Sequence, residues 1–382
     1  MLPARLRCPL IVGVLVALVG CTARDGATSR GNEADASAPQ PASPEQPIDF
    51  HYEVGGNGES NLALKRVSTI RLGARIDETP TDVRSLIVQG RRIFVLDGKM
   101  RRLRGYDIAG KLVFNVGKWG KDDGEMDTPV ALKMQGDTLM LLDLSHVDHV
   151  KLYSLDGEYL TARVFPLPEG ATSFEVSRER MVFATLSGRQ KYSLSYAMMG
   201  TDNHGHVLWL GCQADPQYAA SDKAHEMASK YAFRTVASSA DRLYCIQPLS
   251  PLVQIYDTLG NFVGAFRRAP TFYKPPTHVA ETQNVKEMLQ YESQWTLHAG
   301  IFAFPGGILS VYQTYDLQRG AMNYLLFRCD SLTTATPNAR CATAKSPGQP
   351  VGLVGTDTLL VVGRDDKTQI ATLSRYLIRV GR

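Results

Sequence analysis

A short pattern returns in this chain after about 47 residues, an interval typical of the blades of a β-propeller. Arg92-Ile-Phe-Val-Leu-Asp97, followed by Tyr106-Asp-Ile-Ala-Gly-Lys111, is matched by Thr138-Leu-Met-Leu-Leu-Asp143, followed by Tyr153-Ser-Leu-Asp-Gly-Glu158. Each unit consists of short alternating segments separated by turn residues, which is the pattern of antiparallel strands. Such a unit buries its apolar surface only against its neighbours, so the repeat predicts an all-β propeller.

Later units keep this order of strands and turns, although their residues are less similar to those of the first two repeats. They lie at residues 181–205, 242–260, 295–344 and 351–380. Together with the two clear repeats they predict an all-β, six-bladed β-propeller over residues 61–382. The last unit lacks an outer strand, whereas residues 66–72 form a spare strand ahead of the first blade. We expect these two regions to pair, because a closed ring leaves no exposed sheet edge.

Residues 1–21 have the layout of an export signal. Arg5 and Arg7 precede an apolar run over residues 9–19 that is too short to span a bilayer as a helix. The end of this run, Leu18-Val19-Gly20-Cys21, resembles the lipobox of bacterial lipoproteins, in which the cysteine becomes the lipidated N-terminus. The resemblance implies lipidation at Cys21 and a membrane lipid anchor, with Thr22 implying the outer membrane, facing the periplasm. An ordinary signal peptide cut elsewhere is the alternative.

Residues 22–60 are expected to form a disordered tether. Their first part is rich in Ala, Ser, Gly, Asn, Glu and Pro, and such a composition is too polar to form a core. The formal net charge of the whole chain is +4, and removal of Arg5 and Arg7 lowers it by two. We therefore expect no nucleic-acid partner. We also expect a monomer.

Four cysteines remain outside the export segment, an even number suited to an oxidising compartment. Three pairings are open. We favour Cys329 with Cys341, because one ends a predicted strand and the other begins the next, so that a disulfide would close their hairpin. Cys212 with Cys245 then follows. The cysteine spacing matches no zinc ribbon or zinc finger, so we expect no metal there.

A glycine-rich junction between the first two repeats resembles the NHL repeat. The sequence of residues 116–129 is Val-Gly-Lys-Trp-Gly-Lys-Asp-Asp-Gly-Glu-Met-Asp-Thr-Pro, and an apolar predicted strand follows it. Two further dipeptides fit the same repeat, Tyr106-Asp107 and Asp156-Gly157. The resemblance is good over residues 78–165, fair at 242–268 and poor elsewhere. It implies an NHL-like propeller lipoprotein without indicating a particular enzyme. An unrelated array of β-sandwiches is the alternative.

Two features of the loops suggest a binding face. Loops at residues 213–230 and 269–294 are long for a compact domain and are therefore expected to be functional or mobile. The second loop and its end offer Tyr273, Lys274, His278 and Trp295 as ligand-binding groups. Loops that merely plug the central channel are the alternative.

Basic residues recur in the shorter turns of the same face. They are Lys99, Arg101, Arg102, Arg189, Lys191, Arg319, Arg364 and Lys367. Such a rim would attract an envelope protein or an anionic ligand. Part of this positive charge is offset by Asp97, Asp148, Asp316, Asp365 and Asp366. Ordinary solvated turns, which are often charged without any binding role, are the alternative explanation of these basic residues.

Catalytic signals are weak. His146-Val-Asp-His149 is the nearest approach to a metal pair, but its spacing is unspecific, and we include both histidines among the candidate binding residues. The predicted innermost strands supply only Glu175 and His298, too few oxygen ligands for calcium. Repeated turn aspartates, Asp107, Asp156, Asp202 and Asp257, are interpreted as structural.

The sequence thus favours a lipid-anchored envelope propeller that binds a partner or ligand on its loop-rich face, without catalysis and without a cofactor. A metal-assisted lyase or hydrolase of the periplasm, using His146, His149, Glu175 and His298, is the alternative. A scaffold for a neighbouring envelope system is a third hypothesis.

Overall fold

The computed structural model describes residues 48–49, 51–54, 59–144, 149–165, 171–177, 180–185, 196–213, 215, 235–275, 287, 290, 293–332 and 339–381. Several predictions lie outside these residues: the export signal with Cys21, the tether up to residue 47, and the side chains of His146, His149, Arg189, Lys191 and His278. Within the described residues, no helix is long and apolar enough to cross a membrane.

The chain is all-β, with four-stranded antiparallel sheets arranged as the blades of a propeller. Two strands precede the first blade, β1 (Glu53–Val54) and β2 (Ser60–Arg71). The first blade contains β3 (Val83–Gln89), β4 (Arg92–Asp97), β5 (Arg102–Asp107) and β6 (Leu112–Val116). The second contains β7 (Pro129–Gln135), β8 (Thr138–Asp143), β9 (His149–Ser154) and β10 (Tyr159–Val164).

The next two blades repeat this order. The third contains β11 (Ala171–Ser177), β12 (Arg180–Thr185), β13 (Tyr196–Thr201) and β14 (Val207–Gln213). The fourth contains β15 (Thr235–Ser239), β16 (Arg242–Ile246), β17 (Val253–Asp257) and β18 (Phe262–Phe266). A short strand, β19 (Arg268–Ala269), then pairs in parallel with β1.

The remaining strands form one eight-stranded sheet. They are β20 (Leu297–Phe304), β21 (Gly307–Asp316), β22 (Ala321–Asp330), β23 (Arg340–Ser346), β24 (Gln349–Val354), β25 (Thr358–Arg364) and β26 (Ala371–Val380), with β2 as the eighth. Their order is β20-β21-β22-β23-β2-β26-β25-β24. Only two parallel residue pairs join β2 to β23, whereas an antiparallel ladder from Leu62–Val380 to Arg71–Thr372 joins β2 to β26. The N-terminal strand therefore pairs with the last strand of the chain, as the sequence predicts.

Apolar side chains pack between neighbouring sheets. The alternating pattern of the strands places one buried set on each face, as in Ile93 and Val95 on one face of β4 and Phe94 and Leu96 on the other. Ile93 and Val95 pack against β25 and β26, while the other two pack against the second blade. The core therefore consists of layers between blades, and the last strands contact the first blade directly.

In the turns between the third and fourth strands of a blade, a polar side chain accepts hydrogen bonds from the backbone of its own turn. Asp107, Asp202 and Asp257 each accept the backbone N–H groups two and four residues further on, at 2.8–2.9 Å. In the second blade, Ser154 holds the equivalent position instead of Asp156, and its hydroxyl accepts the corresponding N–H groups. Asp156 instead pairs with Arg92 at 2.6 Å.

Both predicted disulfides are present. Cys329–Cys341 joins directly paired residues of β22 and β23. Cys212–Cys245 joins β14 to β16 and so connects the third blade to the fourth.

The packed part of the chain begins before residue 61. The backbone N–H of Ile48 donates to Gln213 Oε1 at 3.0 Å, and the Tyr52 ring meets Tyr273 edge to face at 5.8 Å. Arg267 Nε donates to the Asp49 carbonyl at 2.9 Å. These residues fall within the range expected as tether, but backbone pairing through β1 and these contacts hold them against the end of the third blade and the segment that follows β18.

Candidate binding surface

One face of the propeller carries two kinds of connection. In an antiparallel four-stranded blade, the turn between the second and third strands lies at the same end as the connection to the next blade. We call this end the loop-bearing face. It includes the β4–β5 turn at residues 98–101 and the β6–β7 connection at residues 117–128. Strand β14 and the pair β18 and β19, which precede the two long loops of the sequence, end at this face; most residues of those loops lie outside the described part of the chain.

A buried carboxylate holds the loop-bearing face at the first blade. Asp97, at the end of β4, accepts the backbone N–H groups of Thr81 (2.8 Å), Asp82 (3.1 Å) and Met100 (3.2 Å). Arg104 Nη2 lies 3.5 Å from Asp97 Oδ2, and both side chains are almost inaccessible to solvent. The expectation that Asp97 offsets charge at an exposed rim was therefore wrong, because the carboxylate lies beneath the turn.

A buried polar side chain at the end of the second strand recurs in other blades. In the second blade, Asp143 accepts the Thr128 N–H at 2.7 Å and pairs with Lys151 Nζ at 2.9 Å. In the fourth, neutral Gln247 occupies the equivalent position and its Oε1 accepts the Asp215 N–H at 3.1 Å. The side chain at the end of the second strand thus ties the incoming connection to the blade. A buried ion pair of this kind is costly to break, so it fixes the geometry of the connections above it.

The β6–β7 connection of the first blade rests on two arginines. Arg102 donates from Nη1 to the Gly117 carbonyl, and Arg101 donates from Nε to the Asp127 carbonyl. The Arg101 guanidinium also lies over the Trp119 ring, 5.9 Å from its centroid. Two predicted binding residues therefore contact the protein's own loop, and they position the indole of Trp119.

Further bonds within residues 117–128 order this connection. Trp119 Nε1 donates to Asp127 Oδ1 at 3.2 Å, and the Gly120 N–H donates to the Met126 carbonyl at 3.2 Å. Lys118 Nζ lies 2.7 Å from Glu125 Oε1, and this hydrogen bond and charge attraction raise the pKa of Lys118. The Met126 side chain is fully buried beneath the loop. The connection is a folded element with many internal contacts.

This folded connection presents an apolar surface to solvent. Trp119 is 69% exposed and Met100, in the adjoining turn, is 49% exposed. Lys99 lies exposed beside Met100 and makes no ion pair with any described residue. We call Lys99, Met100, Arg101 and Trp119 the Trp119 patch. The sequence analysis does not single out Trp119 and Met100 as binding residues, because Trp119 lies in a junction interpreted as part of the repeat and Met100 is an apolar residue among basic ones. An indole between two glycines of a turn was the available signal.

The predicted binding residues near the long loops differ from one another in exposure to solvent. Trp295 and Tyr273 are only 3% and 5% exposed, and the Tyr273 hydroxyl donates to the Leu249 carbonyl at 2.8 Å. Lys274 is exposed, while its backbone exchanges hydrogen bonds with Thr296. Of these three, only Lys274 offers its side chain to a partner at the surface; the two aromatic residues contribute to the core.

His298 and Glu175, the described residues of the catalytic alternative, lie in different environments. His298 is buried, stacks on Tyr312 at 4.4 Å, and lies with Nδ1 3.3 Å from the Ser250 carbonyl; burial lowers its pKa to about 3. Glu175 pairs with Lys133 of the neighbouring blade and accepts from Ser238 Oγ at 3.1 Å. Each group therefore already has contacts within the fold. Among the described residues, no group of three or more His, Cys, Asp or Glu is arranged to hold a metal ion.

Comparisons with known proteins support the fold. No family model matches the chain, and no curated protein matches it in sequence. A candidate exported protein from Bacteroides fragilis has a similar structure, with a TM-score of 0.57 and 12% sequence identity over 87% of this chain and 99% of that one. A member of the DUF4221 family from Bacteroides vulgatus also has a TM-score of 0.57, with 10% identity over 85% of this chain and 100% of that one. These likenesses identify the chain as a propeller-like all-β protein.

Proposed function

We propose that this chain is a lipid-anchored propeller of the bacterial envelope that binds a protein partner through the Trp119 patch and performs no chemistry of its own. The partner would place an apolar side chain against Trp119 and Met100 and a carboxylate near Lys99. The observation that carries the proposal is the exposure of Trp119 on a connection that is already ordered.

The energetics of recognition favour this patch. Tryptophan and arginine are enriched among the residues that dominate binding energy in protein interfaces. An ordered loop also loses little conformational freedom on binding, so less of the contact energy is spent on ordering. Asp122 and Asp123, beside Lys118 and Lys121 in the same connection, give the patch a mixed polar margin of the kind that surrounds interface centres.

The architecture that presents the patch is, in our proposal, a six-bladed NHL-like ring. The eight-stranded sheet divides into two sets of four strands at the weak junction between β2 and β23. Apolar clusters lie between successive sets around the molecule, including one between the last set and the first blade. This arrangement supports a ring of six blades in which β2 is the outer strand of the last.

The location rests on the first 21 residues. Acylation of Cys21 would add about 0.8 kcal/mol of membrane affinity for each buried CH₂ group, and more than one chain gives stable anchoring. Replacing Cys21 by Ala should move the protein from the membrane fraction to the soluble periplasm. Cys8→Ala, in the same export segment, should leave it in the membrane. Equal membrane retention of both variants would contradict the anchor.

Docking is tested by co-purification from native membranes after mild crosslinking. Trp119→Ala should reduce the yield of a specific captured protein at least tenfold, a loss of the size expected for a central interface residue. Leu259→Ala is the matched control, since Leu259 is 57% exposed but lies in the β17–β18 turn at the opposite face. A capture that is equal for both variants, or lost equally in both, would overturn the proposal.

A further inference from the structure

A separate cavity opens on the loop-bearing face where the last strands meet the first blade. Its volume is about 280 Å³, near the lower end of the range of about 300–1,000 Å³ for ligand pockets, so it suits a ligand built on a single ring. The side chains that shape it are Asp82, Tyr315, Met322, Tyr324, Gln349 and Arg364. None of these belongs to the Trp119 patch.

Two tyrosine hydroxyls lie at this cavity without a protein partner. Tyr315 is 9% exposed and Tyr324 is partly buried, and neither hydroxyl makes a hydrogen bond with any described residue. Neither hydroxyl oxygen is fully buried, so each can exchange hydrogen bonds with water or with a ligand in the cavity. Burial, and then the nearby Asp82 charge, raise the pKa of Tyr324 to about 12, so its hydroxyl keeps its proton and can donate. The cavity thus offers two unused hydroxyl groups.

The walls of the cavity are held in place. Arg364 Nη2 donates to the carbonyls of Pro80 (2.9 Å) and Thr81 (2.7 Å), and Nη1 donates to the Gln369 carbonyl at 2.9 Å. Gln349 Nε2 donates to the Val83 carbonyl at 3.2 Å. These bonds connect the final strands to the first blade, so the cavity is formed before any ligand binds.

Positive charge lies beside the cavity. A second depression that shares Met322 and Tyr324 is also lined by Arg319 and Lys345. Lys345 is exposed and makes no ion pair with any described residue, and Arg319 is 72% exposed with its Nε 3.8 Å from Asp316. Inside the cavity, the Asp82 carboxylate is paired with Arg84 at 2.7 Å. An anionic group would therefore be stabilised at the outer side of the cavity rather than within it.

From these groups we propose that the cavity binds a sugar ring that carries a carboxylate, a uronic acid. The ring hydroxyls would satisfy Tyr315 and Tyr324, the ring carbons would pack on Met322, and the carboxylate would face Arg319 and Lys345. A purely apolar ligand would leave the hydroxyls unsatisfied, and a neutral sugar would gain nothing from the cations.

Calorimetric titration of the purified protein with glucuronate and galacturonate tests the proposal, with glucose and galactose as neutral counterparts. At least one uronate should bind, at least fivefold more tightly than its neutral counterpart. Tyr324→Phe keeps the ring and should weaken uronate binding at least threefold, the loss expected for one hydrogen bond. Arg319→Gln combined with Lys345→Gln should remove the preference for the uronate. Lys111→Gln, at an exposed lysine in the β5–β6 turn of the opposite face, should change neither value.

The proposal is overturned if the folded protein binds no uronate, if uronate and neutral sugar bind equally, or if the Tyr324 and paired cation variants match the unmodified protein. Thermal unfolding of each variant confirms that the compared proteins are folded. Because Trp119 does not contribute to the cavity, Trp119→Ala should leave uronate binding unchanged, so this proposal and the partner-docking proposal can fail separately.

Discussion

Arg104 lies beside Asp97 inside the first blade, with Nη2 of the arginine 3.5 Å from Oδ2 of the aspartate and neither side chain more than 3% exposed. The carboxylate also receives three backbone N–H groups from the segments that lead into the blade and its turn. Each partner compensates for the other's loss of hydration. The pair connects the interior of the blade to the loops of the loop-bearing face.

Removing the charge at Asp97 should therefore be strongly destabilising. Asp97→Ala leaves Arg104 buried without its counter-charge and should lower the free energy of unfolding by about 3–5 kcal/mol. Asp156→Ala breaks the ion pair with Arg92 at the surface and should cost less than about 1 kcal/mol. Urea unfolding followed by tryptophan fluorescence compares the two. Equal losses would contradict the structural role assigned to Asp97.

The disulfide between blades should contribute more than the disulfide within one sheet. Cys212–Cys245 closes a segment of 33 residues and Cys329–Cys341 one of 12. In the chain-entropy description, the longer closed segment loses more freedom in the unfolded state. Replacing Cys212 and Cys245 by Ala should cost about 3–4 kcal/mol, and replacing the other pair about 3 kcal/mol or less. Unfolding midpoints of the two double variants measure the order, and the reverse order would contradict it.

Pairing of β2 with β26 should be needed for the whole fold. Deleting residues 371–382 removes β26, exposes the edges of β2 and β25, and takes away the apolar layer against the first blade. We expect a protein without a cooperative thermal transition, measured by circular dichroism and calorimetry. Deleting only residues 381–382 leaves β26 complete and is the control. A cooperative transition in the longer deletion, near that of the control, would show that the ring does not depend on this strand.

His298 should make the fold sensitive to acid. Its pKa is lowered by burial from 6.5 to about 3, so the folded state keeps the imidazole neutral where the unfolded state binds a proton. Above pH 6.5 both states are neutral and the group has no effect. Between pH 6.5 and about 3, the free energy of unfolding should fall as pH falls, by up to about 1.4 kcal/mol for each pH unit.

The variant His298→Phe keeps a ring that can stack on Tyr312 but cannot take up a proton. Its free energy of unfolding should depend less steeply on pH between 6.5 and 4 than that of the unmodified protein. Urea titrations at several pH values give both slopes. If the two slopes coincide, His298 is not the group responsible.

The repeat in the sequence predicts the fold well because blades are local. The letters of β4 and β8 carry the two-residue alternation that places one set of side chains on each side of a sheet, and the turn residues follow at fixed distances. The pairing of β2 with β26 could be predicted as well, since a missing outer strand and a spare strand complete one another. In both cases a local pattern is sufficient.

The candidate binding surface could not be predicted in the same way. Asp97 in β4 and Asp316 at the end of β21 are the same residue type near a turn, but only Asp97 is covered by an incoming segment distant in sequence. Tyr273 and Trp295 are candidates for an exposed site in the sequence, and the fold buries both side chains instead. Exposure of Trp119 depends on how residues 117–128 fold over the arginines of the adjoining turn. Each outcome is decided by contacts between segments.

Position-resolved photo-crosslinking in living cells bears on the docking role of the Trp119 patch. A photoreactive amino acid is placed at Met100, within the patch, or at Leu259, an exposed apolar position at the opposite face. We predict one specific protein adduct from position 100, lost when Trp119→Ala is added, and no such adduct from position 259. The same adducts from both positions, or an adduct from position 100 that persists without Trp119, would contradict docking through this patch.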